Sequence, residues 1–424
     1  MSYRYLRALA LSVCWVTIAA GAALAEASAA SAAPLSLEQA AQLAARDAPA
    51  LTALRQRELA AKEEQARAGA LPDPELVLGI DNLTATGNDA FAIGADPMTM
   101  RKIGLRQMLP AGAKRDAART QARADTGMRA AELHAGALNV QRAAAAAWVM
   151  RWSAAQEDAL LRTLLGDTRL ALRAVAARVA AGGSASDDLN TRAMVLEIEN
   201  RISANQARIA AAKAELARWL GDEAEREPAE PPDWFTAPLA EARALALLDR
   251  SADLLVFSAH EQQADAAVRA AKAERRPDFS VMAGYGQRAV GRDDMISLEF
   301  GIGLPLFTRN RQDRSVAARM AEHDALDAEH EDARRAAAAA VRSDYAQWAG
   351  LVEQVRRDQR ERLPLLRDLS ALALAGYRAG APIDGWIDAR RQEVEASIET
   401  SRRQQELGVA WANLAYRFAQ ESQP

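Results

Sequence analysis

Five short sequence markers occur twice in the same order, about 200 residues apart, and that duplication limits what this 424-residue chain can fold into more than any other feature. Ala48-Pro49-Ala50-Leu51 is answered by Ser251-Ala252-Asp253-Leu254, Pro72-Asp73 by Pro277-Asp278, and Leu109-Pro110 by Leu304-Pro305. Ala181-Gly182 is answered by Ala379-Gly380, and Leu216-Ala217 by Leu414-Ala415. The interval between the two proline markers is about ten residues longer in the first copy, which places one long loop there. The chain therefore reads as two tandem repeats, 26–221 and 239–424. They are joined by a linker, 222–238, in which Pro228, Pro231, Pro232 and Pro238 leave no room for a continuing helix.

Residues 1–25 read as an export signal. Arg4 and Arg7 precede an uncharged run from Ala8 to Ala25, and Ala23-Leu24-Ala25 is a small-x-small cleavage site. The only cysteine, Cys14, falls inside that run after Leu11-Ser12-Val13, so the expected mature chain carries no thiol and no lipid anchor.

Within each repeat the pattern reads helix, two strands, very long helix, turn, helix. Ser36 and Gln39 form a capping-box signature for the first helix, and Pro72 and Pro277 are expected to end the helices before the strands. Phe279, Val281, Ala283 and Tyr285 alternate with Ser280, Met282, Gly284 and Gly286. After a turn at Gly291–Asp294, Ile296, Leu298, Phe300, Ile302 and Leu304 alternate with Ser297, Glu299, Gly301 and Gly303. This is period-two patterning at the length of a tilted membrane strand. Leu76, Leu78 and Ile80 repeat it in the first copy, with a weaker partner near Ile103 and Leu105. No proline interrupts 111–181, enough for a helix of roughly 105 Å. Leu161, Leu165, Thr168, Leu172, Val175 and Val179 make a heptad seam, echoed by Leu363, Leu366, Ser370, Ala373 and Tyr377. Gly182-Gly183-Ser184 and Gly380-Ala381-Pro382 break the helices, and return helices begin near Asp187 and Asp384.

Half of the residues are hydrophobic but only 5% are aromatic, and the apolar share is mostly alanine, a composition of long packed helices rather than of an enzyme core. A net charge of −4 gives no basic surface for nucleic acid. Four amphipathic strands make a sheet with two bare edges, which hydrocarbon does not tolerate. Several chains must then close it. Two would give eight strands and a filled interior, and three would give twelve and an open lumen. A soluble helical protein with a local sheet is the competing reading.

Leu35-Ser36-Leu37-Glu38-Gln39-Ala40 followed by Asp47-Ala48-Pro49-Ala50-Leu51 resembles the opening of TolC-type outer membrane factors. Leu71-Pro72-Asp73-Pro74-Glu75-Leu76 and Gln107-Met108-Leu109-Pro110 with Gly112-Ala113-Lys114-Arg115 resemble the metal-efflux branch that includes CzcC and CusC. Tyr377-Arg378-Ala379-Gly380 and Trp386-Ile387-Asp388-Ala389-Arg390 resemble that family's second periplasmic turn. The resemblance runs from about residue 35 to 420. It implies a mainly α chain with a membrane β-barrel: two long coiled-coil hairpins and two β-hairpins, closing as a homotrimer with a twelve-stranded barrel and a periplasmic helical tunnel. It also implies a periplasmic adaptor, an inner-membrane pump of the resistance-nodulation-division type, contact with outer membrane lipid, and heavy-metal cations as cargo. A drug-efflux or protein-secretion duct of the same family is the alternative cargo reading, and a soluble periplasmic adaptor or scaffold is the alternative class.

No catalytic constellation, cofactor motif or metal-ligand spacing stands out, so neither an enzyme nor a bound cofactor or metal is expected. His134, His260, His323 and His330 read as solvated helix-face residues, and Met98, Met100 and Met108 as packing or membrane contact. The candidate sites are three. Asp384, Asp187 and Asp188, after the turns, are candidates for a carboxylate ring at a periplasmic aperture, against a plain capping role. Gly182, Gly183, Arg378 and Gly380 form turns suited to an adaptor's helical tips. Ile296, Leu298, Phe300 and Ile302 are candidates for a lipid-facing strand. Trp148, Trp152, Trp219, Trp348 and Trp411 are expected to pack between helices.

Overall fold

The computed structural model describes residues 33–182 and 185–419, so the export signal with Cys14, and Gly183 with Ser184, lie outside the described residues. The elements run α1 Leu37–Asp47, α2 Pro49–Arg67, β1 Glu75–Asp81, β2 Met100–Leu109, α3 Gly112–Ala180 and α4 Ala185–Leu220. They continue with α5 Glu241–Ala246, α6 Phe257–Ala273, β3 Phe279–Gln287, β4 Met295–Ile302, α7 Gln312–Arg357, α8 Leu363–Arg378 and α9 Asp384–Ala415. One π-helical turn, Asp358–Arg362, joins α7 to α8. Among the described residues no helix is long and apolar enough to cross a membrane.

The chain divides into two compact units, each drawing on both halves of the sequence. The first takes 140–238, 344–416 and the residues up to Ala48. Its helices pack by apolar stripes. Leu161 and Leu164 of α3, Ile198 and Ile202 of α4, and Val394 and Ile398 of α9 form one buried cluster. Ala171, Val175, Ile383 and Ile387 form a second, flanked by Val179, Tyr377 and Trp386. Leu164 and Ala171 are more deeply buried than the seam positions read from sequence, Leu165 and Leu172, because α3 packs on two helices rather than one. Ser36 accepts from the Gln39 N–H at 3.1 Å while the Gln39 side chain accepts from the Ser36 N–H at 3.3 Å, closing the capping box of α1. The proline-rich linker is fixed in place: Trp348 donates its indole N–H to the Trp234 carbonyl and Trp411 to that of Thr236, both at 2.9 Å. Trp148 donates to the Leu35 carbonyl at 2.7 Å, and Trp152 meets the Trp234 ring edge-on at 5.1 Å.

The second unit takes 49–139, 239–343 and the C-terminal segment. It holds a four-stranded antiparallel sheet in the order β1-β2-β3-β4, so the two hairpins meet at the β2–β3 pair. β2, the least obvious strand by sequence, is the longest at 10 residues and is paired along both sides. The helices before the hairpins stop at Arg67 and Ala273, several residues short of Pro72 and Pro277. In the first case Gly69, at φ +69°, turns the chain, and its hydrogen lies where a Cβ would meet the Arg115 carbonyl at 2.7 Å. The prolines mark the start of the extended segments rather than the helix ends.

Candidate functional site

The sheet has two unlike faces. Residues directly opposite on neighbouring strands point the same way. Leu76, Leu105, Ala283 and Leu298 therefore share a row, and so do Leu78, Ile103, Tyr285 and Ile296. Val281 with Phe300, and Phe279 with Ile302, continue that face. It is bare: Ile296 is 82% and Phe300 75% exposed. The other face carries Val77, Gly104, Gly284 and Ser297 in one row, Gly79, Lys102, Gly286 and Met295 in the next, and Glu75, Arg106, Met282 and Glu299 in a third. Large apolar side chains left bare on one face, with most of the charges and the glycines gathered on the other, is the reverse of a soluble domain.

The charged face is concave. Lys102 Nζ lies 2.9 Å from Glu299 of β4 and 3.5 Å from Asp81 of β1, the two edge strands of the sheet. Neighbouring strands lie about 4.8 Å apart, and Asp81 and Glu299 stand three strands and six register positions apart, so in a flat sheet their Cα atoms would be roughly 24 Å apart, beyond the reach of the side chains. Convergence on one ammonium requires the sheet to curl over this face. The glycines make room for it, since a Cβ on Gly284 would come 2.8 Å from Ser297 Oγ and 3.1 Å from Lys102 Cε. At the start of α3, Lys114 holds Asp278 at 2.7 Å and Glu274 at 3.1 Å, and the Ala111 N–H donates to Asp278 at 3.0 Å. Partial burial pushes the Asp278 carboxyl up, but Lys114 and the Ala111 N–H outweigh it and hold the group below the usual carboxylate range.

In the first unit the two helix reversals come together. Gly182 and Gly380 both adopt left-handed backbone, φ +95° and +102°, where a Cβ would be strained. At Gly380 the Ala381 N–H reaches the Gly376 carbonyl at 3.0 Å, the six-to-one bond of a glycine-terminated helix. The Arg178 guanidinium sits 6.0 Å from the Tyr377 ring centroid and 3.8 Å from Asp187, so both turns share this corner of the unit. Asp188 is paired with Arg192 at 2.8 Å, one helical turn on. Asp384 and Arg378 are exposed. The cap position of α9 belongs to Ile383, with no side-chain cap bond, so Asp384 is the first residue of the helix rather than its cap.

Buried charge is the feature the sequence reading missed. Glu157 of α3 is held by Arg208 of α4 and by Arg402 of α9, the latter at 2.7 Å. Burial alone would raise its pKa, yet the two guanidinium groups outweigh burial and hold the carboxyl below its ordinary range. Arg390 of α9 bridges Asp167 and Glu393, each at 2.7 Å. Asp358, in the π turn, accepts from Arg403 and from Thr400. Only a comparison of the two repeats could have found these, since Glu157 and Asp358 fall at matching places before Arg208 and Arg403. Of the histidines, His330 pairs with Glu261 at 2.5 Å and stacks on Phe257, while His323 lies 3.5 Å from both Asp265 and Asp327. His323, Asp324 and Asp327 bring ligand atoms within 4.8 Å of one another, but Asp324 and Asp327 are exposed and the ion pairs account for the grouping. Gly183 lies outside the described residues.

Residues 245–416 match the family model for the outer membrane efflux protein. None of the curated proteins matches the chain by sequence. Among solved structures, a membrane protein from Pseudomonas aeruginosa aligns at a TM-score of 0.69 and 18% identity over 90% of this chain and 92% of its own. CusC aligns at 0.69 and 16% identity, over 90% and 92%. The outer membrane protein VceC from Vibrio cholerae aligns at 0.71 and 17% identity, over 90% and 96%. The likeness therefore runs through both repeats, where the family model reaches only the second.

Proposed function

We propose that this chain, which carries the outer membrane efflux protein signature in its second repeat and the fold of TolC-type channels throughout, is the outer membrane exit duct of a tripartite efflux system. The two-faced sheet is the observation that carries this reading. Its apolar face, with Ile296, Leu298, Phe300 and Ile302, meets outer membrane lipid, and its concave charged face lines a water-filled lumen. β1 and β4 each leave an edge to pair with another copy. A two-chain barrel of eight strands would be filled by its own side chains, whereas a lumen holding Lys102, Arg106 and three carboxylates needs the width of twelve strands. The assembly is a homotrimer.

The helical hairpins form the periplasmic tunnel. The turns at Gly182, Gly183, Arg378 and Gly380 receive the helical tips of a periplasmic adaptor, which links the duct to an inner-membrane pump. Asp384, with Asp187 and Asp188, supplies three copies of a carboxylate group at the aperture. The partners already engaging Asp187 and Asp188 leave Asp384 the freest to meet cargo. The duct has no energy source and passes what its pump delivers. Resemblance to the CzcC/CusC branch, with the likeness to CusC, supports heavy-metal cations as the cargo. The equal likeness to VceC supports the second reading, a duct of the same family with another cargo.

Fractionation followed by native mass in detergent tests the duct. A carbonate-resistant outer membrane protein of three times the mature chain's mass is expected, and Phe300→Arg is expected to abolish its insertion. A soluble periplasmic monomer would overturn the reading.

A further inference from the structure

In the first unit, α3, the linker, α8 and α9 wall a cavity of about 590 Å³, the size of a small-molecule pocket. Trp152 and Leu160 of α3, Phe235 of the linker and Leu363 of α8 give it apolar and aromatic sides. Two residues on its wall bury a polar atom that has no hydrogen-bond partner: Trp234, 4% exposed, at its indole N–H, and Ser401, 5% exposed, at its hydroxyl. Comparable groups find partners elsewhere in this unit. Trp148, Trp348 and Trp411 each donate the indole N–H to a backbone carbonyl. Ser397 and Thr400, on the same wall of α9, return their hydroxyls to carbonyls one turn back, at 2.9 and 2.8 Å. Buried donors left unpaired carry a desolvation cost that native proteins tolerate at few positions. Two of them on one cavity point to a guest with an acceptor atom.

Charge narrows the kind of guest. Asp233 is occupied, its two oxygens accepting from the Phe235 N–H at 2.9 Å and from the Thr236 hydroxyl at 2.8 Å. Arg367 is loosely held, 64% exposed and 3.9 Å from Glu393, which Arg390 already holds at 2.7 Å. We infer that this cavity is a binding site for a small planar organic anion, an aromatic carboxylate carrying a second oxygen. The ring lies against Trp152 and Phe235, the second oxygen accepts from Trp234 and Ser401, and the carboxylate turns toward Arg367. The wall takes α3 from the first repeat and α8 and α9 from the second, so an occupant ties the repeats together and stabilises the folded chain by mass action. The site stands whether or not the chain is a duct.

Calorimetric titration of the purified protein in nonionic detergent with 6-hydroxy-2-naphthoate, against detergent alone, tests this. One equivalent per chain is expected to bind and to raise the unfolding temperature. Arg367→Gln is expected to weaken binding about threefold or more, and to leave the affinity for the uncharged 6-hydroxy-2-naphthamide unchanged. Ser401→Ala is expected to weaken both compounds about threefold or more without lowering the stability of the unliganded protein, since the hydroxyl it removes has no partner. If Ser401→Ala lowers that stability, the hydroxyl is already satisfied and the inference falls. Heat no greater than that of detergent alone means that the cavity holds only water or a neighbouring copy, and overturns it too. Binding that neither variant weakens lies elsewhere on the protein, with the same consequence. Equal affinity for the amide and the carboxylate would remove the anion from the proposal and overturn it as stated.

Discussion

The two long helical stretches, one in each repeat, are built to the same plan and differ where it counts. α3 runs 69 residues without a break. Its counterpart reaches a similar length as α7 and α8, but with the π turn at Asp358–Arg362 immediately before Pro364. Proline has no N–H and its ring crowds the carbonyl four residues back, so a regular helix through Pro364 would be strained; one widened turn absorbs the misfit. Each helix also buries one carboxylate against an arginine of its own return helix: Glu157 with Arg208, Asp358 with Arg403. Glu157 additionally takes Arg402 from the second repeat, whereas Asp358 finds its further partners, Arg362 and Thr400, within its own repeat. The buried carboxylate of the first helix is therefore locked across the repeats, whereas that of the second is held within its own repeat, beside a turn of irregular pitch.

Substitutions can break that contrast. Glu157→Ala strands two guanidinium groups and is expected to cost about 2–4 kcal/mol in urea unfolding, discounted because both arginines are partly exposed. Asp358→Ala should cost less, about 2 kcal/mol, since Arg403 keeps Glu399 at 2.6 Å. An equal or larger loss at Asp358 would reverse the comparison. Gly380→Ala, which forces a side chain into left-handed backbone, should cost about 1 kcal/mol, and Gly182→Ala the same. A large gap between these two would locate rigidity in the turns instead.

Acid provides the smallest and finest probe. The folded pKa of Glu157 lies below its ordinary 4.5, so its contribution is fully present above that value and is lost as pH falls through the depressed folded one. The Glu157→Gln protein should lack this component of the acid limb. If wild type and variant lose stability in parallel below pH 4.5, the lock is not ionic.

How far the fold could be read from sequence depended on whether a residue's neighbours lie near it in the chain. Ser36 with Gln39, and the glycines at 182 and 380, act within a few residues, and both readings match the structure. β3 and β4 were legible because their inward positions, Met282 and Met295 apart, are small or polar. β2 was obscured because Arg101 interrupts the apolar face at its end and Lys102 and Arg106 load the other. Pro72 and Pro277 were read as helix stops, whereas the helices end earlier, at turns that the prolines do not make. Glu157, Asp167 and Asp358 sit among exposed-looking charges on alanine-rich helices, and nothing local separates them from surface acids. What buries them is helices 45 or more positions away.

The β2–β3 pair brings a question of timing. Phe279 must find Leu109 across about 170 intervening residues, while β1–β2 and β3–β4 are local hairpins. As the chain is delivered from its N-terminus, the first hairpin is complete long before its partner arrives. Throughout that interval it offers an apolar surface and two unpaired margins to any neighbouring polypeptide, the conditions under which misassembly begins. Biogenesis of this protein thus has a vulnerable stage set by chain order alone, and shielding it is work for something other than the protein itself.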